Sequence, residues 1–336
     1  MKENKLQIDT YMRNLGDDIE KARRISWMNL GKRIIFYVPS FIYYRSRYIN
    51  QSRVAFPSIS ITGYACSLNC KHCGGRLLKT MIPAKSPERL IEVCSEIKRR
   101  GGIGCLISGG SMADGHVPLE RFIEAIAKIK RSLNLTIVVH TGLINSETAM
   151  KLREAGIDAA LIDIIGSNDT IREIYRLNAT TREFEDSLKA LRDAGIPLVP
   201  HVLVGLHYGK IKGEIEALRM IAKYSPSALI IIAFFPIKKT PMEDVKPPSP
   251  EDIVRVIIKA RDLMPKIPMA LGCARPKGEH RSITDVLAVR AGINAIAFPA
   301  DEAVREARNL GLEIKTSPLC CSQVFSEIKP IIGQIF

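Results

Sequence analysis

Hydrophobic residues make up 46% of the 336-residue chain, enough for a sizeable core, while aromatics are only 6% and Gly and Pro are near average. Disordered and fibrous classes are thereby excluded, and one large domain is as admissible as two. The 49 Lys and Arg against 35 Asp and Glu give a net charge of +14, which calls for an acidic partner; the absence of an Arg-rich tail, zinc-finger spacing or aromatic–glycine motif favours an acidic protein or small anions over nucleic acid.

The chain opens with a polar, charged stretch, Met1 to Asp18, which is no secretion signal. The apolar run Ile34–Tyr44 is interrupted by Pro39 and falls well short of the about 20 residues that cross a membrane. Residues 1–50 are therefore expected to form a helical extension, packed on the main domain or shielding its mouth. The expected protein is soluble and cytoplasmic, without membrane contact. Eight cysteines, three of them within eight residues, point to metal chemistry in a reducing compartment and not to a disulfide framework.

From residue 51 to 315 short apolar runs alternate with amphipathic stretches. Strands are expected at Pro57–Thr62, Gly104–Ser108, Leu135–His140, Ala159–Ile165, Pro197–Gly205, Ala228–Phe235, Met269–Cys273 and Ala295–Pro299. Helices are expected at Pro87–Arg100, Leu119–Arg131, Ser146–Ala155, Arg182–Ala194, Gly213–Tyr224, Pro250–Leu263 and Ser282–Ala291. Ser249 with Asp252, and Ser282 with Asp285, have the spacing of helix N-caps. Gly156, Gly195 and Gly292 suit left-handed helix ends.

The strands are apolar almost throughout, as in Leu229–Ala233, which suits a parallel sheet covered on both faces. Eight such units predict an α/β fold, a (β/α)8 TIM-type barrel, with function at the carboxyl ends of the strands. The unusual polar residues fall there: Cys66, Ser108 to Ser111, His140, Asp163, His201 and Cys273. Residues 316–336 form a tail with the pair Cys320–Cys321.

The segment Gly63–Gly75 carries Cys66, Cys70 and Cys73 in a Cys-x3-Cys-x2-Cys pattern. Three thiolates so spaced can surround a cubane and leave one iron open. The competing reading is zinc, which in structural sites almost always takes four protein ligands. His72 is the only neighbouring candidate, and it abuts Cys73 too closely to reach the same ion in good geometry.

This pattern resembles the signature of the radical S-adenosylmethionine (SAM) superfamily, whose 4Fe–4S cluster converts bound S-adenosylmethionine into a 5′-deoxyadenosyl radical. The resemblance implies that His72 sits near the adenine and that Gly109, Gly110 and Ser111 form the loop contacting the methionine amino group, Ser111 standing where a Glu is common. Over most of residues 57–315 the chain resembles biotin synthase-type enzymes, on stretches such as Asp169–Tyr175, Asp193–Ile196, Val204–Leu206 and Leu271–Arg275. Arg275 matches the arginine that ligates the sacrificial 2Fe–2S cluster there. The three barrel cysteines of that cluster have no counterparts, Val199 standing where one is expected.

The phrases Ser60–Gly63, Leu106–Gly110, Val204–Lys210, Leu271–Pro276 and Cys320–Cys321 resemble more closely the archaeal proteins that form one half of a two-component lipoyl synthase. That likeness implies sulfur insertion into the octanoyl-lysine of an acidic lipoyl carrier protein, with a second radical SAM subunit, an electron donor such as ferredoxin, and an auxiliary Fe–S cluster as sulfur source.

Ligands for such a cluster are sought in Cys273, Cys320 and Cys321, which are equally readable as idle or redox-protective thiols. Cys94 and Cys105 read as small buried residues. His140 and His201 close strands and face the expected site. Asp163 suits ribose hydroxyls, substrate or a loop cap. Arg182 suits either the cofactor carboxylate or a helix surface. Other radical reactions, namely biotin synthase-like insertion, methylation or rearrangement, share the same motif, and a zinc-stabilised nucleic-acid-binding module is the rival from another class.

Overall fold

In the computed structural model, residues 2–331 are described, and the last five residues of the expected tail lie outside them. A helix, Lys2–Leu30, is followed by eleven strands in one sheet: β1 Arg33–Tyr37, β2 Ser58–Ser60, β3 Ile82–Pro83, β4 Gly104–Ser108, β5 Thr136–His140, β6 Ala159–Asp163, β7 Leu198–Val204, β8 Leu229–Ala233, β9 Met269–Leu271, β10 Ala295–Ala297 and β11 Glu313–Ser317. Their order is β11-β1-β10-β9-β8-β7-β6-β5-β4-β2-β3, and every pairing is parallel.

All eight expected strands are present and run as consecutive neighbours, β2 and then β4 to β10. The expected helices lie between them, with Pro250–Leu263 at the expected bounds. Their insulation explains the composition: Leu229, Ile230 and Ile231 are fully buried, having helices on one side and the barrel interior on the other. The sheet curls as a TIM-type partial barrel and stays open, since β11 and β3 are its two edges.

Two expectations about the ends need correction. Residues 1–50 are not purely helical: β1 lies between β10 and β11, with Phe36 facing Ile296 on one side and Thr316 on the other. The run Ile34–Tyr44 is thus a core strand up to Tyr37, and its partners lie more than 250 residues away in sequence. The first helix packs outside, against Pro250–Leu263 and Glu279–Arg290, where Ser26 accepts a hydrogen bond from Asn294.

The tail begins inside the sheet as β11. It then turns inward, and its short turn Cys321–Gln323 packs against β6, β8, β9 and β10. Contact with β6, far from β10 in strand order, places this turn across the barrel interior.

Ser249 and Asp252 form the expected reciprocal cap. Ser282 does not cap a helix, because that helix starts earlier, at Glu279; Ser282 instead donates to Glu302, and Asp285 pairs with Arg275. Gly156, Gly195 and Gly292 adopt φ of 80°, 69° and 78° as expected. Cys94 and Cys105 are buried with their sulfurs 3.9 Å apart, and Val199 is a buried residue of β7.

Candidate active site

The cysteine loop leaves β2 and curls tightly: the amides of Cys73 and Gly74 both bond to the Cys70 carbonyl, at 3.3 and 2.8 Å. Left-handed backbone at Asn69, Gly74 and Gly75 permits the curl. As a result the thiols of Cys70 and Cys73 and a ring nitrogen of His72 lie within 4.8 Å of one another. His72 therefore does reach the thiols, contrary to the expectation drawn from its adjacency to Cys73. Cys66 stands apart from this group, beside Gly75.

The donor set suits a metal cluster. Cys70 is buried and Cys73 partly so. The neighbouring Cys70 sulfur and His72 lower the Cys73 pKa to about 4, while the proximity of Cys73 and burial push the Cys70 pKa up. A thiol pair shifted in opposite directions shares its protons unevenly, and a bound cation favours loss of both.

The glycine-rich loop after β4 closes on the cysteine loop. A Cβ at Gly110 would lie 2.0 Å from the Ala65 carbonyl oxygen and 2.7 Å from the Cys66 Cα, so the two backbones touch and only glycine fits. The Gly110 amide donates to the Thr62 hydroxyl at 2.7 Å, that hydroxyl donates to the Ala65 carbonyl, and the Ser67 amide donates to the Ser111 carbonyl. Gly109 packs against Thr62 and Ile61.

Thr62 was not singled out by sequence, and two further supports fall in stretches read from it only as a family resemblance, Asp169–Tyr175, and as a substrate-contacting loop or a polar turn, His207–Lys210. One is the π-helical turn Ile171–Tyr175: the Lys71 amide donates to the Ile174 carbonyl, the Cys70 thiol to the Tyr175 carbonyl at 3.5 Å, and the Tyr175 ring lies 5.4 Å from His72. The other is Tyr208, from the loop His207–Lys210, whose hydroxyl takes a hydrogen bond from the Lys71 ammonium at 2.7 Å. A π-turn at such a place is a structural signal; periodicity does not reveal it.

The wall opposite is made by β5 to β7. His140 and Asp163 approach to 3.4 Å, the His201 ring lies 5.8 Å from that of His140, and one ligand atom from each of the three falls within 4.8 Å of the others. The Tyr175 hydroxyl donates to Asp163 at 3.4 Å. Burial pushes the His201 pKa down to about 4; at His140 burial is the largest influence, yet the charge and hydrogen bond of Asp163 together raise the pKa; both histidines, against burial, hold Asp163 down to about 2.

Cys273 follows β9. It joins Cys320 and Cys321 in a second group of thiols that perturb one another inside the barrel: burial raises Cys273 to about 11, and the Cys321 thiol donating to Cys320 lowers the latter to about 7.

Two candidates are not where the resemblance implied. Arg275 is 1% exposed and all of its N–H groups are used: Nε and one Nη on the two oxygens of Asp285, and the remaining donors on the carbonyls of Gly272, Ala297 and Phe298. No donor face is left for an iron or a substrate, so Arg275 positions the strand ends and ligates nothing. Arg182 has an 86% exposed side chain 4.0 Å from Asp186 along its own helix, which makes it a surface residue and not a cofactor contact.

Residues 60–221 match the model of the radical SAM superfamily. The mitochondrial biotin synthase of Arabidopsis thaliana is 28% identical over 249 residues, covering 71% of this chain and 64% of that protein, so the chain spans just under two thirds of that relative. Biotin synthase of Zymomonas mobilis is 26% identical over 277 residues, covering 76% of this chain and 80% of that one. The crystal structure of methylornithine synthase superposes with a TM-score of 0.61 at 18% identity, over 91% of this chain and 92% of that chain. Cys66, Cys70 and Cys73 all lie within the matched residues. No helix among the described residues is long and apolar enough to cross a membrane.

Proposed function

Because this chain carries a radical SAM domain with biotin synthase homologues, we propose that it is a sulfur-inserting enzyme acting as one subunit of a lipoyl synthase, with the octanoyl-lysine of an acidic lipoyl carrier protein as substrate. The observation that carries the reading is the tail turn: it packs on β9 and brings the buried Cys320 and Cys321 to the side of the sheet where Cys273 follows that strand.

Cys66, Cys70 and Cys73 would hold the 4Fe–4S cluster, and Cys273, Cys320 and Cys321 an auxiliary Fe–S cluster. When bound, the first cluster with S-adenosylmethionine supplies the radical that breaks an unactivated C–H bond, and the second supplies sulfur. The protein's own share is positional. Gly110 and Thr62 hold the cysteine loop against the strand ends, and the Ile171–Tyr175 turn covers it from the other side. The buried apolar barrel wall keeps water from the reacting chain.

An acidic carrier is supported by a cleft of about 390 Å³ beside Phe298 and Pro299, just past β10, where Arg45, Arg47, Arg281 and Arg305 outnumber Asp301 and Glu302, and Arg305 pairs with Glu302 at 2.9 Å. Arg281 is largely buried there, donates to the carbonyls of Arg275 and Pro276, and has its pKa pushed down to about 10 by burial. Among the described residues, neither Arg45 nor Arg281 forms an ion pair with a carboxylate of the cleft, and an entering carboxylate would find them. A second radical SAM subunit and a ferredoxin-like electron donor complete the proposal.

The test is anaerobic incubation of the reconstituted protein with octanoylated carrier, S-adenosylmethionine and reductant, with and without the second subunit, followed by intact mass of the carrier. Gain of sulfur on the octanoyl chain is expected. Sulfur gained by dethiobiotin and never by the carrier would replace this reading with biotin synthase activity.

A further inference from the structure

His140 and Asp163 end β5 and β6, and His201, expected from the sequence at a strand end, is the middle residue of the parallel neighbour β7. Asp163 is in register with His201, and His140 is in register with Leu161, two residues before Asp163. Side chains alternate along a strand, so this register sends all three to the same face, the barrel interior. The three donor atoms lie within 4.8 Å of one another. His140 and Asp163 keep 24% and 26% of their side-chain surface accessible, which leaves an approach from the mouth.

Their bonding within the protein is incomplete. His140 and Asp163 are 3.4 Å apart, long for a charge-assisted bond, and the Tyr175 hydroxyl is equally distant. Nδ1 of His201 is buried without a hydrogen-bond partner. Buried polar atoms are rarely left so. Two imidazoles and one carboxylate at this spacing are the donor set of a divalent transition metal with open coordination positions.

We propose that His140, Asp163 and His201 bind one divalent transition-metal ion inside the barrel, distinct from the site of the three-cysteine loop. His201 binds as the neutral base that its burial favours. The remaining positions are open to a heteroatom of the substrate or to water.

The test uses the full-length chain with Cys66, Cys70 and Cys73 all changed to Ser, which removes the first cluster. This protein is titrated anaerobically with cobalt(II), and the visible ligand-field absorption is read together with far-ultraviolet circular dichroism. One equivalent of cobalt is expected at this site, told apart from any ion on Cys273, Cys320 and Cys321 by the absence of a thiolate-to-cobalt charge-transfer band. His201→Gln and Asp163→Asn, added singly, are each expected to weaken binding more than about tenfold with the dichroism unchanged. Failure of the Ser variant to bind cobalt would overturn the proposal. So would binding that survives both substitutions, or binding abolished instead by Cys320→Ser and Cys321→Ser, which would assign the ion to the tail. None of these outcomes depends on sulfur insertion, so the site and the proposed reaction fail separately.

Discussion

Arg275 and Asp285 form a bidentate ion pair in the protein interior, both contacts at 2.9 Å, with side chains only 1% and 0% exposed. Asp285 also accepts the Ala300 amide at 2.9 Å, so the pair ties the Glu279–Arg290 helix to the ends of β9 and β10. Breaking a buried pair from one side strands the other charge, at about 3–5 kcal/mol. Asp285→Asn and Arg275→Ala are expected to lose that much by urea denaturation. Folded Arg275→Lys protein should keep its iron and sulfide content, whereas an iron-ligating arginine would lower it.

Gly110→Ala forces a methyl into backbone atoms at 2.0 and 2.7 Å, which no rotamer can relieve. Iron per chain after reconstitution is expected to fall several-fold. Gly16→Ala, whose Cβ would meet only the Met12 methyl at 3.9 Å, is the matched control and should leave iron binding unchanged.

His201 titrates near 4 when folded against an ordinary value of 6.5. The unfolded chain therefore binds this proton first, and the stability it contributes is complete above about 6.5 and is lost as pH falls toward 4. His140, shifted upward by Asp163, works in the opposite sense: its contribution is complete below 6.5 and fades as pH rises through its folded pKa. Denaturation midpoints measured in chelator between pH 4 and 6.5 should fall steeply for the parent protein and less steeply for His201→Gln. An unchanged slope in the variant would remove His201 as the cause.

Most of the barrel was legible because each βα unit writes its own signal: an apolar run, a cap, an amphipathic stretch, a glycine. Contacts between distant segments were not legible. β1 looks like an isolated apolar run because the strands that flank it come from residues near 295 and 315, and the inward turn of Cys320–Cys321 depends on packing across the barrel. Arg275 shows the limit of a local match. Its neighbours in sequence resemble an iron ligand's, while its partner Asp285 sits ten residues on, at a spacing that reads as a helix cap. The cysteine loop was the reverse case: its motif was plain in the sequence, while the approach of His72 to the thiols and the backing from Thr62 and Lys71 depend on how the loop folds.

A second thiol site predicts that the Cys66, Cys70 and Cys73 triple Ser variant still holds iron and sulfide after anaerobic reconstitution. Further change of Cys273, Cys320 and Cys321 to Ser should remove what remains. A triple variant without any sulfide would leave the proposed sulfur donor without support and the radical chemistry intact.

The most direct measurement is chromatographic detection of 5′-deoxyadenosine after the reduced, reconstituted protein is mixed with S-adenosylmethionine. The wild-type chain is expected to produce it and the Cys66, Cys70 and Cys73 triple variant to produce none. A wild-type protein carrying its full iron that yields no 5′-deoxyadenosine, or a triple variant that yields as much as wild type, would contradict the assignment of the radical chemistry to these three thiolates.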